Sequence, residues 1–188
     1  MKKYIADLHF GHEKVIGFDG RPFTSVKEMD EELIKRWNQV VSKKDEVYIL
    51  GDFAYRSEHE YSWYLSRLQG VKHLVIGNHD YKILKDEKAQ SYFTSIHHIL
   101  NVKDENREVI LCHYPMLEWK GYYRGSLHVF GHIHESKQPI YAHICKEPNM
   151  LNAGASIINY QPASLQELIH YNILYKERLA EALAELPK

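Results

Sequence analysis

The sequence predicts an α/β fold, and three observations carry that prediction. Short β-rich runs, Tyr4-Ile5-Ala6, Val47-Tyr48-Ile49-Leu50, Leu74-Val75-Ile76, Val109-Ile110-Leu111 and Val129-Phe130, have the apolar continuity of buried strands. Segments with helical periodicity lie between several of them. Clusters of Asp, His and Asn stand directly after the apolar runs, where open α/β sheets collect their ligands.

The helical elements follow from capping and periodicity. Ser25 with Glu28 forms a capping box, after which Val26, Met29, Leu33, Trp37, Val40 and Val41 share one helical face. Ser57 with Glu60 repeats the box ahead of Tyr61, Tyr64, Leu65 and Leu68. A third box, Ser164 with Glu167, opens a C-terminal helix through Leu168, Leu179 and Leu183, available for packing on the sheet or for self-association. The segment from Ser136 to Met150 fits no single pattern; Ile140 to Cys145 is compatible with a strand, and Asn152-Ala153-Gly154-Ala155 with a tight strand exit.

At 188 residues the chain fits one domain, 1–188, large enough to bury a core. Its 24 Lys and Arg nearly balance 25 Asp and Glu, so no overall basic field favours long nucleic acid or an anionic membrane. Cys112 and Cys145 are too few for a disulfide scaffold, and a reducing cytoplasm is the expected location. Lys2 and Lys3 precede only a few apolar residues, so no secretory segment is expected, the mature chain is expected to begin at Met1, and no run is long enough to span a bilayer.

The polar clusters are Asp7-Leu8-His9, Gly51-Asp52, Gly77-Asn78-His79-Asp80, Cys112-His113 and Gly131-His132-Ile133-His134. Asp7 and His9 are two apart, so on an extended segment both point to one face and can grip one cation; His132 and His134 share that spacing. Asp52 follows a glycine that permits a sharp exit, which suits a carboxylate bridging two metals. Asn78 supplies a neutral oxygen, and the adjacent His79 is left to face substrate. Cys112 points away from His113, into the core. A satisfied core histidine accounts for His113 alone, but not for seven ligand-type residues at strand ends.

The order D-x-H, G-D, G-N-H-[DE], H, G-H-x-H resembles the calcineurin-like metallophosphoesterase superfamily, and all five blocks occur between Asp7 and His134. The resemblance implies a four-layer α/β/β/α sandwich of the metallo-dependent phosphatase type. It also implies one metal held by Asp7, His9, Asp52 and His134, a second held by Asp52, Asn78, His113 and His132, and His79 as the catalytic histidine. Asp7 to His12, Arg21-Pro22-Phe23, Tyr160-Gln161-Pro162 and Ser164-Leu165 resemble small bacterial and phage phosphoesterases of that superfamily, a group poorly defined in function. The protein phosphatase branch reads G-D-x-x-D-R-G; here Tyr55 replaces the second aspartate, which argues against a phosphoprotein substrate.

The chemistry implied is phosphate ester hydrolysis by in-line attack of a metal-bridging hydroxide. Two divalent cations outweigh Asp7, Asp52 and one hydroxide in charge, and a pair about 3.5–4 Å apart both acidifies water and stabilises the developing phosphoryl charge. His79 is the candidate general acid, with Asp80 as its orienting carboxylate. Mixed carboxylate, imidazole and amide ligands suit Mn, Fe, Zn, Co or Ni without choosing among them. Candidate substrate contacts are His12, the guanidinium groups of Arg21 and Arg56, and Tyr114, Trp119 and Arg124 of a loop between two ligand blocks. The loop aromatics either stack on a nucleobase or pack within the loop. A small phosphodiester or nucleotide is the preferred substrate, with a phosphomonoester as the alternative. A non-catalytic scaffold on this fold, as in the superfamily's retromer subunit, would be expected to lack site residues that are all present here.

Overall fold

The computed structural model describes residues 1–134 and 140–184. Strands β1 (Lys2–Ile5), β2 (Glu46–Ile49), β3 (Val71–Val75) and β4 (Phe93–His97) form one sheet in that order, all parallel. Strands β5 (Ile99–Asp104), β6 (Arg107–Cys112), β7 (Leu127–Phe130) and β8 (Met150–Asn152) form the other, antiparallel between β5 and β6 and parallel beyond. Parallel pairs need crossovers, and the helices supply them. Helices α1 (Glu13–Phe18) and α2 (Val26–Val40) join β1 to β2, α3 (Tyr61–Leu65) joins β2 to β3, and α4 (Glu87–Gln90) precedes β4. The hairpin between β5 and β6 turns on Glu105 and Asn106, both left-handed at φ 47° and 64°, as a tight two-residue turn between twisted strands requires.

The two sheets meet where β1 and β8 end. The Ala6 N–H donates to the Ala153 carbonyl at 2.7 Å, and the Ala155 N–H donates to the Ala6 carbonyl at 2.9 Å. This places the exit of β1 beside the exits of β7 and β8, and the result is the α/β sandwich expected from the sequence. Helix α6 (Leu165–Ala184) packs on the second sheet with Leu168, Tyr175 and Leu179 buried. Its Asn172 exchanges amide hydrogen bonds with the Asn152 backbone, at 2.7 and 3.0 Å, in a fully buried position. The C-terminal helix thus packs on its own sheet.

Of the local expectations, one capping box holds and others are corrected. The Ser164–Glu167 box forms in both directions, with distances of 2.8 and 3.4 Å. At Ser25 only half forms: its hydroxyl accepts the Glu28 N–H, while the Glu28 carboxylate turns to Thr24. At Ser57 there is no box, because its hydroxyl is engaged by the His59 N–H and the Tyr64 hydroxyl, and α3 starts later, at Tyr61. Residues Ile140 to Cys145 are helical over α5 (Tyr141–Ile144) instead of extended; Tyr141 and Ile144, three apart, are both fully buried on one helical face. Ser136 lies outside the described residues. Strands β4 and β5 have no counterpart in the sequence expectations, since β5 alternates exposed and half-buried positions at a sheet edge, whereas the three-residue β8 ends at Asn152, where a tight strand exit is expected. No helix among the described residues is long and apolar enough to cross a membrane.

One buried titratable group in β7 ties the sheet to the loop that follows β6. His128 is fully buried; its Nδ1–H donates to the Ile110 carbonyl at 3.1 Å, and its Nε2 accepts the Met116 N–H at 3.0 Å. Burial pushes its pKa down to about 4, against the opposing pull of the Ile110 and Tyr114 carbonyls. Between pH 4 and the unfolded value near 6.5 only the unfolded chain gains this proton, so stability falls as pH drops through that window. Denaturant titrations at pH 7 and pH 5 should show a drop about 2 kcal/mol smaller in His128→Gln than in wild type. Equal drops would show that His128 does not carry this linkage.

Candidate metal and active site

Two triads of potential ligands face each other beyond the carboxyl ends of the strands. Asp7, His9 and His134 converge with their ligand atoms mutually within 4.8 Å, and so do Asp52, His113 and His132. The Asp52 Oδ2 lies between them, 3.6 Å from the His9 Nε2 and 3.7 Å from the His113 Nε2. Asn78 joins the second group: its Oδ1 is 3.0 Å from the His113 Nε2 and 2.9 Å from the His132 Nδ1. All seven predicted ligands are therefore brought together, with His132 and His134 in different triads despite their two-residue spacing.

The backbone that does this is not the extended one assumed from spacing. Asp7, His9, Asp52, His132 and His134 all have left-handed φ, between 50° and 71°. Such a conformation costs about 1–3 kcal/mol at each non-glycine position and persists only where neighbouring structure over-determines it. Here the Asp7 and His9 N–H groups donate to the Gly51 and Asp52 carbonyls, and the His132 N–H donates to both Asp7 carboxylate oxygens at 2.9 and 3.0 Å. The turns are crowded enough to require glycine. At Gly51, itself at φ 82°, an added Cβ would lie 2.5 Å from the His113 Nδ1 and 2.6 Å from the Gly77 Cα. At Gly131 it would lie 2.7 Å from the Asp7 Oδ2.

Behind the ligands stand groups that fix their orientation. The His113 Nδ1–H donates to the Leu50 carbonyl at 2.8 Å, which leaves Nε2 as the lone-pair nitrogen facing Asp52. The His134 Nδ1 lies 2.8 Å from the Asp19 Oδ2, a residue the sequence reading missed. Burial disfavours the charged His134 ring, but the bond to Asp19 and the charges of Asp7 and Asp19 outweigh it and raise its pKa. Asp19 is itself gripped by Arg21 at 3.1 and 3.2 Å. The only sequence signal for Asp19 is a carboxylate in a turn two residues ahead of that arginine.

Two residues leave the roles expected for them. Asp80 does not orient His79; its fully buried carboxylate accepts the backbone N–H groups of Asp52, Phe53 and Gly77 at 2.8–3.0 Å, and so holds the Asp52 turn. Arg21 is no phosphate clamp; its buried guanidinium donates to the Asp7 and Leu8 carbonyls at 2.8 and 2.9 Å as well as to Asp19. In both cases a turn with unpaired backbone groups captures the nearest charge.

The remaining candidates divide by position. The His79 Nε2 is 3.9 Å from the Asp52 Oδ2, and the His79 side chain is about one-third exposed, at 31%. Its ring lies 4.2 Å from that of Tyr55, which was likewise missed as a site residue. His12 is buried, 5.4 Å from the His9 ring and 4.8 Å from Tyr55, with an unpartnered Nδ1; burial, then His79 and Arg21, push its pKa down to about 4. The exposed Arg56 lies over the Tyr55 ring. Tyr114 is 4.7 Å from His132 and half exposed. Trp119 turns inward: its indole N–H donates to Ser126 and its ring packs near His128, so the alternative of packing within the loop holds. With Arg124 it lines a separate hollow formed by residues 118–124.

The residues fit a pair of divalent cations. Burial raises the pKa of both Asp7 and Asp52, which marks two carboxylates short of positive charge. The His9 and His134 Nε2 atoms face each other at 3.3 Å, and with the His134 Nδ1–H on Asp19 at most one of them carries a proton. Neutral imidazoles, two carboxylates and one amide oxygen are a donor set suited to such ions.

Known proteins resemble this chain over most of its length. The model of the family described as calcineurin-like phosphoesterase matches residues 4–136. An uncharacterized protein of Methanocaldococcus jannaschii, MJ1445, is 29% identical over 184 residues, covering 97% of this chain and 96% of that one. The Gene 66 protein of Mycobacterium phage L5 is 27% identical over 159 residues, 70% of this chain and 76% of its own. Among solved structures, the protein of unknown function AQ665 from Aquifex aeolicus superposes with a TM-score of 0.70 at 24% identity, covering 89% of this chain and 96% of its own, a similarity of fold.

If Asp19 orients His134, Asp19→Ala should weaken Mn²⁺ binding about 10- to 100-fold in calorimetric titration while the fold is retained. Unaltered affinity would exclude that role. Gly51→Ala should prevent both triads from assembling, seen as loss of the Mn²⁺-induced rise in melting temperature.

Proposed function

The chain belongs to the calcineurin-like phosphoesterase family, and on that premise we propose that it hydrolyses a small phosphodiester at a two-cation centre. One cation would be held by Asp7, His9, Asp52 and His134, the other by Asp52, Asn78, His113 and His132. The observation that carries this reading is the Asp52 Oδ2 placed between both triads, within 3.6–3.7 Å of an imidazole nitrogen of each. When bound, the cations supply Lewis acidity toward the phosphoryl oxygens and toward water.

The protein's own groups do the rest. Asp80 and the Asp52 turn hold the shared carboxylate in place, and the His79 N–H donates to the Asp52 Oδ1 at 2.9 Å, which fixes His79 beside it. His79 is half-buried rather than locked among the ligands, so its ring is available to protonate the departing alkoxide. Tyr55, in ring contact, limits its orientations. Arg21 is fully engaged with the Asp7 and Leu8 carbonyls and with Asp19, so it does not supply the bidentate partner that the second charge of a monoester dianion would favour. That supports a diester, which carries a single charge. Three further features argue against a scaffold role: His79 is present, every ligand position is filled, and the supporting turns are intact.

A metal-by-substrate matrix tests the proposal. With Mn²⁺, Fe²⁺, Zn²⁺, Co²⁺ or Ni²⁺, bis(p-nitrophenyl) phosphate should turn over faster than p-nitrophenyl phosphate, and Asp52→Asn should abolish both reactions. The reverse order of substrates would replace the diester by a monoester; no turnover with any metal would bring the scaffold forward. His79→Asn should lower kcat about 10²- to 10⁴-fold with metal content unchanged. Wild-type turnover in that variant would remove His79 from the mechanism.

A further inference from the structure

A groove of about 630 Å³ opens beside the candidate centre, between the start of α2 and the segment that leads into α3. That is the size of an ordinary small-ligand site. A chain of side-chain contacts links it to the centre: His79 touches Tyr55, Tyr55 touches His12, and His12 and Arg56 line the groove. If His79 protonates the leaving oxygen, the departing alcohol lies on its side of the phosphorus, and the chain of ring contacts that starts at His79 ends at the groove.

The lining has a definite chemistry. His59 and Trp63 of the lining form a stack of flat groups, 4.0 Å apart at 13°, and outside the lining the Arg67 guanidinium lies 4.4 Å over the same indole, paired with Glu31. Another planar ring extends such a stack at little cost in order. Below it lies the buried carboxylate of Asp30, whose oxygens accept the Gly11 N–H at 3.0 Å and the Tyr64 hydroxyl at 2.9 Å. Each oxygen keeps capacity for a further donor. Three cationic side chains, Lys14, Lys27 and Arg56, face four carboxylates in the lining, so the groove carries no excess positive charge for a second phosphate. A planar ring with N–H or O–H donors and no charge fits these features.

Resting on the phosphodiesterase reading, we propose that this groove binds the leaving alcohol as a nucleoside, so that the substrate is a nucleotide-containing phosphodiester. The nucleobase stacks against the His59–Trp63 wall, and base or ribose donors reach Asp30.

Indole nuclear magnetic resonance decides whether the groove binds a nucleoside, independently of turnover. The chain has three tryptophans; the Trp37 and Trp119 indole N–H groups are bonded to Gln69 and Ser126, away from the groove. Adenosine 5′-monophosphate should shift the Trp63 resonance and leave the other two in place, while inorganic phosphate should not. No shift with the nucleotide, or an equal shift with phosphate, overturns the proposal. Kinetics supplies the second arm. Val26→Trp, and Lys27→Trp at the exposed rim, narrow the groove from α2. Both should lower the ratio of kcat/KM for adenylyl-adenosine to that for methyl p-nitrophenyl phosphate by about tenfold or more. An unchanged ratio overturns the groove assignment even if both esters are hydrolysed. Failure of wild type to hydrolyse either ester refutes the phosphodiesterase reading instead, and the titration still decides what the groove binds.

Discussion

Two carboxylates buried in one cleft set the terms for the rest of this structure. Asp7 and Asp52 are each almost fully removed from solvent, and their pKa values rise because burial penalises charge. Such groups are tolerated only where hydrogen bonds and counter-charges surround them. The His132 N–H serves Asp7, the His79 N–H serves Asp52, and four imidazoles from three strand ends close over both. A third buried carboxylate, Asp80, braces the Asp52 turn from beneath. Left-handed backbone at five ligand positions is the geometric cost of aiming so many donors at one volume.

Much of this was legible in the sequence, and the limits have physical causes. Apolar runs ending in ligand clusters gave the strands that carry the site, because a strand buried on both faces has little freedom of composition. The candidate ligands stood out because Asp, His and Asn have no comparable reason to recur there. Edge strands such as β5 were not, since a half-exposed strand with Lys103 and Asp104 reads as a polar segment. Local spacing also misled: the two-residue separation of Asp7 and His9 implied an extended backbone, whereas both adopt φ near +50°. Periodicity describes regular elements, and catalytic turns are irregular by necessity.

Charged residues close to the ligands were the hardest to assign. Arg21 and Asp80 looked like contacts for substrate and for the candidate catalytic histidine, yet both saturate backbone groups in tight turns. Asp19 went unnoticed although it holds His134. A sequence shows that a charge is near a site, but not which backbone atoms nearby lack partners. That depends on turn geometry set by residues far away in the chain.

The stitching of the sheets through Ala6 and Ala153–Ala155 bears on how the protein acquires activity as it folds. The Asp7 carboxylate meets the His132 N–H across 125 residues of sequence, and the closure between β1 and β8 spans more. Loops of that length close late, after local hairpins and helix–strand units have formed. Half-folded chains would then present isolated ligands but no shared centre, and hydrolytic competence would arrive in one cooperative step with the native topology. Metal uptake in a refolding experiment would therefore report completion of the whole molecule, not the ordering of any one segment.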